Sequence, residues 1–185
     1  MRKTFLRSRR VVSLGLAVAL AGLSSGAWAF QEVATGLIVE PPAPLTAEKI
    51  SNINFAGAVG IKSPEGSPQP AAGSIYLCQV GFAPRPAEGT QDEINAATLD
   101  PQALAAIEIS LSAEFSSHEA ATFTANGVAG FEFFITPKDQ PDNRVYTTLL
   151  QTPAGVVQQH CTTTAADAEA ALVLFRAIRD TVVPP

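Results

Sequence analysis

"NGVAGFEFFITPKDQPDNRVYTTLLQTPAGVVQQHCTTT", residues 126–164, decides the fold. Its runs "VAGFEFFITP", "RVYTTLLQTP" and "VVQQHCTTT" are rich in β-branched and aromatic residues, the composition that suits a pleated, half-buried surface. The turn-rich "KDQPDN" separates the first two, and Ala154-Gly155 separates the last two. Upstream, "ATFTA" (121–125) is joined to the first run by Asn126-Gly127, a pair that tolerates the positive φ angles of a two-residue hairpin turn. Turns this short leave no room for crossovers, so the strands form an antiparallel meander.

The flanks set the layers. "SIYLCQVGF" (74–82) puts Tyr76, Cys78, Val80 and Phe82 on one face at period two, the mark of a strand. Asp100-Pro101 supplies a helix cap and a first-turn proline, and Leu104, Ile107, Leu111 and Phe115 recur at helical spacing after them. Beyond the meander, Thr164 with Asp167 resembles a capping box, and Ala168, Leu172, Phe175, Ile178 and Val182 line one face of a closing helix. A meander flanked by amphipathic helices packs as an α+β single domain over residues 74–185. Residues 30–73 read differently: "EPPAPLTAE" and "SPEGSPQPAAG" concentrate proline and small residues, so this stretch is expected to be an N-terminal arm. Its possible strand is "NINFAGAVGI" (52–61).

The first 29 residues read as a signal peptide. "MRKTFLRSRR" is basic and acid-free, the apolar stretch after it is short, and "AWA" offers a cleavage site after Ala29. Ser8-Arg9-Arg10 admits a twin-arginine reading, but the residues that follow favour an ordinary basic leader. Cleavage would leave a periplasmic or extracellular chain from Phe30 with no membrane anchor, and would remove Trp28, the sole tryptophan. It would also leave seven basic against 17 acidic residues, a formal net charge of −10. Such a chain repels phosphate backbones and anionic lipid surfaces, so no nucleic-acid partner is expected.

Chemical candidates are few. Cys78 and Cys161 are the only cysteines and each falls on a predicted strand, so in an exported protein they read as a disulfide. His160 adjoins Cys161, but neighbours on a strand point to opposite faces, which makes the imidazole a poor base for that sulfur. Ser116, Ser117, His118 and Glu119 mimic a triad in composition only, and they read as the polar end of a helix. Asp139, Asp142 and Asn143 lack the spacing of a calcium loop and read as a turn. Gly127 and Gly130 lack the lysine and the strand-turn-helix setting of a phosphate loop. Two histidines without paired ligand spacing give no metal site, and no catalytic residue or cofactor is assigned.

The stretch from Asn126 to Val182 resembles the PsbP-like family. The likeness lies in Gly127-x-x-Gly130 at the start, strands parted by a glycine turn, a last strand ending in threonines, and a final helix with Phe175-x-x-Ile178. The resemblance covers about a third of the chain and implies an antiparallel sheet between helices, used for binding or assembly without a shared catalytic centre. The chain departs from the family in having no tryptophan after residue 29, in its cysteine pair and in its "VVPP" end. Two function classes follow: an exported, non-catalytic binding or assembly module for an unknown protein or small-molecule ligand, or a small periplasmic hydrolase built from scattered carboxylates with His118 and His160. Convergence of the two histidines with an acid in one pocket separates them.

Overall fold

A computed structural model describes residues 29–64, 68–71 and 73–185. The signal-peptide reading of residues 1–29 lies almost wholly outside them. Among the described residues nine strands and three helices follow in the order β1 (Phe30–Gln31), β2 (Ile38–Val39), β3 (Thr46–Ile50), β4 (Gly57–Lys62), β5 (Cys78–Ala83), α1 (Gln91–Thr98), α2 (Pro101–Glu114), β6 (Phe115–Ala125), β7 (Val128–Pro137), β8 (Asn143–Thr152), β9 (Gly155–Thr164) and α3 (Ala168–Thr181). The fold is α+β.

β6 to β9 form the expected meander, and Asn126-Gly127 turns its first corner with φ of 50° and 79°. The main sheet runs β3-β4-β5-β9-β8-β7-β6, antiparallel throughout. α3 covers one face, contacting β8 and β9, while α1 and α2 lie against β7, β8 and β6 on the other. The main core is between sheet and α3: Val80, Val157, Tyr146 and Leu150 meet Ala171, Phe175 and Ile178, all 1% exposed or less.

Residues 30–73 are not an arm outside this core. β3 and β4 extend the sheet from β5, and Leu37, Val39, Val59 and Ile61 are completely buried in the main cluster. Val183 pairs with Ile38, so the C-terminus also closes on this segment. Proline-rich loops flank these strands and hide short apolar pairs that a composition reading passes over.

Three local readings change as well. "FSSHEA" is strand: α2 ends at Glu114, and Phe115 opens the eleven-residue edge strand β6. α1 has no counterpart in the sequence reading, although Thr90 and Glu93 form a full capping box at its start. Thr164 and Asp167 do bond to each other, but in the turn before α3, which begins at Ala168. Asp100 caps α2 by accepting from the Gln102 amide at 2.9 Å, with Pro101 in the first turn.

Candidate functional site

Strand parity gives the sheet two chemically different faces. Toward α3 the face is apolar, with one ionic cluster. Glu132 on β7 accepts from Tyr146 Oη at 2.7 Å and Arg176 Nη2 at 2.9 Å, and it also pairs with Arg179. Burial pushes the Glu132 carboxyl up, but the Tyr146 hydroxyl and both guanidiniums outweigh it and hold the group below its ordinary value. Both of its oxygens are engaged inside the protein, so the cluster fastens α3 to the sheet.

On the same face Cys78 and Cys161 stand directly opposite each other on β5 and β9 and form a disulfide, both buried. Gln159 Nε2 lies 3.1 Å from Cys161 Sγ and donates to the Phe175 carbonyl at 2.9 Å. His160 points away from this sulfur, through the opposite face.

That opposite face carries the cleft. Its floor is set by register: Gln79 beside His160, then Gly81 beside Gln158, Leu149 and Phe131, then Ala83 beside Val156 and Gln151. Thr98 and Ile107 bring in α1 and α2 on one side, and Asn52, Asn54 and Phe55 stand on the other. The Phe55 ring lies flat on Gly81, where a Cβ would occupy the space of the ring. Arg85 closes one end. The cavity measures about 570 Å³, and a second of about 330 Å³ continues past Gln79 and His160 toward Tyr76 and Asn143. Together they make one groove across the sheet.

The groove's chemistry is unusual for this acidic chain. No aspartate or glutamate is among the described residues that line either cavity. Polar groups are mostly side-chain amides, interleaved with Phe55, Phe131, Leu149 and Ile107. His160 Nδ1 is 3.2 Å from Thr147 Oγ1. The imidazole is reachable by solvent, yet the groove walls displace enough water to lower its pKa, so the neutral ring is favoured at pH 7.

The structure does not bring His118 and His160 together. His118 pairs with Ile135 on β6, three strand spacings from β9, which is roughly 14 Å at ~4.8 Å per strand. It shares neither cavity with His160, and the spatial condition set for a hydrolase site is unmet. Ser116 and Ser117 are spent on Thr136. Asn143 bonds Gln140 within the β7–β8 turn, and no group of three or more His, Cys, Asp or Glu among the described residues is placed to hold a metal. No described helix is long and apolar enough to cross a membrane.

No family model and no curated protein matches this sequence. Solved structures do. The solution structure of cyanobacterial PsbP (CyanoP) from Synechocystis sp. PCC 6803 is similar over 92% of this chain and all of that one, with a TM-score of 0.52 and 9% identity. The chain has a PsbP-like fold. A crystal structure of PA94, a protein of unknown function from Pseudomonas aeruginosa, matches at a TM-score of 0.39 and 12% identity, over 80% of this chain and 91% of that one. The first likeness reaches into residues 30–73, well beyond the third of the sequence where the resemblance is legible.

Proposed function

We propose that this chain is an exported, non-catalytic binding module of the cell envelope that holds a small ligand in the cleft on the helix α1–α2 face of its sheet. The observation that carries the reading is the cleft itself. Its volume of about 570 Å³ is within the range of about 300–1,000 Å³ usual for ligand sites, and its apolar walls carry a few convergent polar groups. Export is supported by the basic leader, the short apolar stretch and the "AWA" junction, and by the buried cysteine pair, a feature of oxidising compartments.

Two measurements test it. N-terminal sequencing of the protein from its host's envelope should begin at Phe30. Wild type and Leu149→Arg, purified from that host, should then be denatured and their released small molecules compared by mass spectrometry. Leu149 lies between Gln158 and Phe131 at the centre of the floor. A compound released in stoichiometric amount by wild type and lost from a variant of unchanged melting temperature supports the cleft. Equal release by both proteins, or none by either, contradicts it.

A further inference from the structure

The residues after the leader include seven cationic side chains, and six are engaged. Lys49 pairs with Glu32, Lys62 with Glu48, Arg176 and Arg179 with Glu132, while Lys138 and Arg144 donate to backbone carbonyls. Arg85 alone, among the described residues, has neither an ion pair nor a hydrogen bond, and it stands at the end of the cleft. In a chain with so many more acids than bases, an unpaired guanidinium where no carboxylate lines the wall is an open anion position. The side-chain amide of Gln158, half-buried at mid-floor, likewise bonds no other described residue.

These two groups restrict the ligand. A phosphate carries up to two negative charges and would call for convergent cations, and the cleft has one guanidinium. A fatty acid could satisfy Arg85 but would lay hydrocarbon over Gln158 and leave its amide dry and unpartnered. A neutral sugar would use the amides and ignore Arg85. A peptide chain satisfies all of it: each peptide group offers the donor and acceptor that a glutamine amide reciprocates, and apolar side chains fit the walls made by Phe55, Phe131 and Ile107. The span also fits. From the Gln79–His160 row to Arg85 is six residues along β5 and its continuation, at most roughly 20 Å at ~3.4 Å per residue, room for about four or five extended residues.

We infer that the cleft receives the carboxyl-terminal end of a short extended peptide, its terminal carboxylate on Arg85, a backbone amide on Gln158 and apolar side chains against Phe55 and Phe131. This rests on the cleft being the ligand site.

Calorimetry with the processed chain tests it. The probes are acetyl-Ala-Leu-Ala-Phe as the free acid, the same peptide as its carboxamide, and octanoate. Wild type should bind the acid at least tenfold more tightly than the carboxamide. Arg85→Gln should lose that preference and bind both peptides alike, and Gln158→Leu should weaken both about equally, by fivefold or more. Arg85 is exposed and Gln158, half-buried on the groove floor, bonds no other described residue, so thermal melting should show the variants folded. Equal binding of acid and carboxamide by wild type, or a preference surviving in Arg85→Gln, overturns the inference. Binding of octanoate without either peptide overturns it while leaving the cleft as a ligand site. Binding of none of the three also overturns it, and the released-compound comparison above then judges the cleft separately.

Discussion

Glu32 and Glu132 show how this acidic chain uses buried carboxylates as anchors. Glu32 is 1% exposed and bonds Lys49 Nζ at 2.7 Å and both the amide and hydroxyl of Thr35 at 2.9 Å. Lys49 first, then the Thr35 donors acting against desolvation, lower its pKa to about 2. A carboxyl with a depressed folded-state pKa contributes stability that is present above its unfolded value of 4.5 and is lost as pH falls through the folded value. Glu132 acts in the same direction. Unfolding free energy should therefore fall between about pH 4.5 and 2, and a Glu32→Gln variant should show a shallower acid slope by urea titration at stepped pH. An unchanged slope would mean that other carboxyls carry the transition. Glu132→Gln removes the buried charge that faces both Arg176 and Arg179, leaves Arg179 only the exposed Asp180 as an ionic partner, and should cost about 3 kcal/mol at pH 7. Tyr146→Phe removes only one charge-assisted hydrogen bond and should cost less, about 1.5–2 kcal/mol. The reverse order in urea midpoints would remove the ion cluster as the anchor of α3.

At the scale of elements, what was legible in the sequence follows how much local pattern each element carries. β8, β9 and α3 alternate or repeat cleanly because each buries one full face, β7 is a run covered on both faces, and the order of all four was readable from turns. α1 was not, since Ile94 is its one large buried side chain and gives no stripe; only Thr90-x-x-Glu93 announced it. β6 is an edge strand with half-exposed residues, so "FSSHEA" has no strand alternation to show. β3 showed no pattern of its own among the prolines, and β4 showed only as the loose alternation of residues 52–61, whose second half it occupies. Their burial predicts that a chain starting at residue 74 will not fold: it lacks Leu37, Val39, Val59 and Ile61 and bares the edge of β5. Circular dichroism and thermal melting of 74–185 beside 30–185 check this, and a cooperative transition in the shorter chain would contradict it. The staple tests differently. Replacing Cys78 and Cys161 by alanine should lower stability by about 2–4 kcal/mol while keeping a cooperative transition, because the strands remain paired without the cross-link.

Across the whole molecule, the two faces of one sheet divide the work. The face under α3 holds the disulfide, the ion cluster and the stacked pair Tyr146 and Phe175, whose ring centroids are 5.7 Å apart, and it has little free polar chemistry. The opposite face is only partly roofed and keeps Arg85, Gln158 and the outer nitrogen of His160 free of described partners. His160 was singled out in the sequence, but no motif could have flagged Arg85 or Gln158, because only the register of β5 with β9 brings them to the same face. The division predicts opposite outcomes for substitutions at comparable depth in the sequence. Phe175→Ala opens a cavity in a fully buried cluster and should cost about 3–5 kcal/mol. Any ligand affinity of the fraction still folded should be nearly unchanged, since α3 does not touch the cleft. His160→Ala and Gln158→Leu should each change stability by about 0.5 kcal/mol or less, as surface changes do, and weaken ligand binding several-fold. A ligand present at a hundred times its Kd should raise wild-type stability by about 2.7 kcal/mol, and the cleft variants by less at the same concentration. Melting curves with and without ligand on these three variants place each side chain on one axis or the other. If Gln158→Leu unfolds the protein as Phe175→Ala does, the open face is structural and recognition must be sought elsewhere.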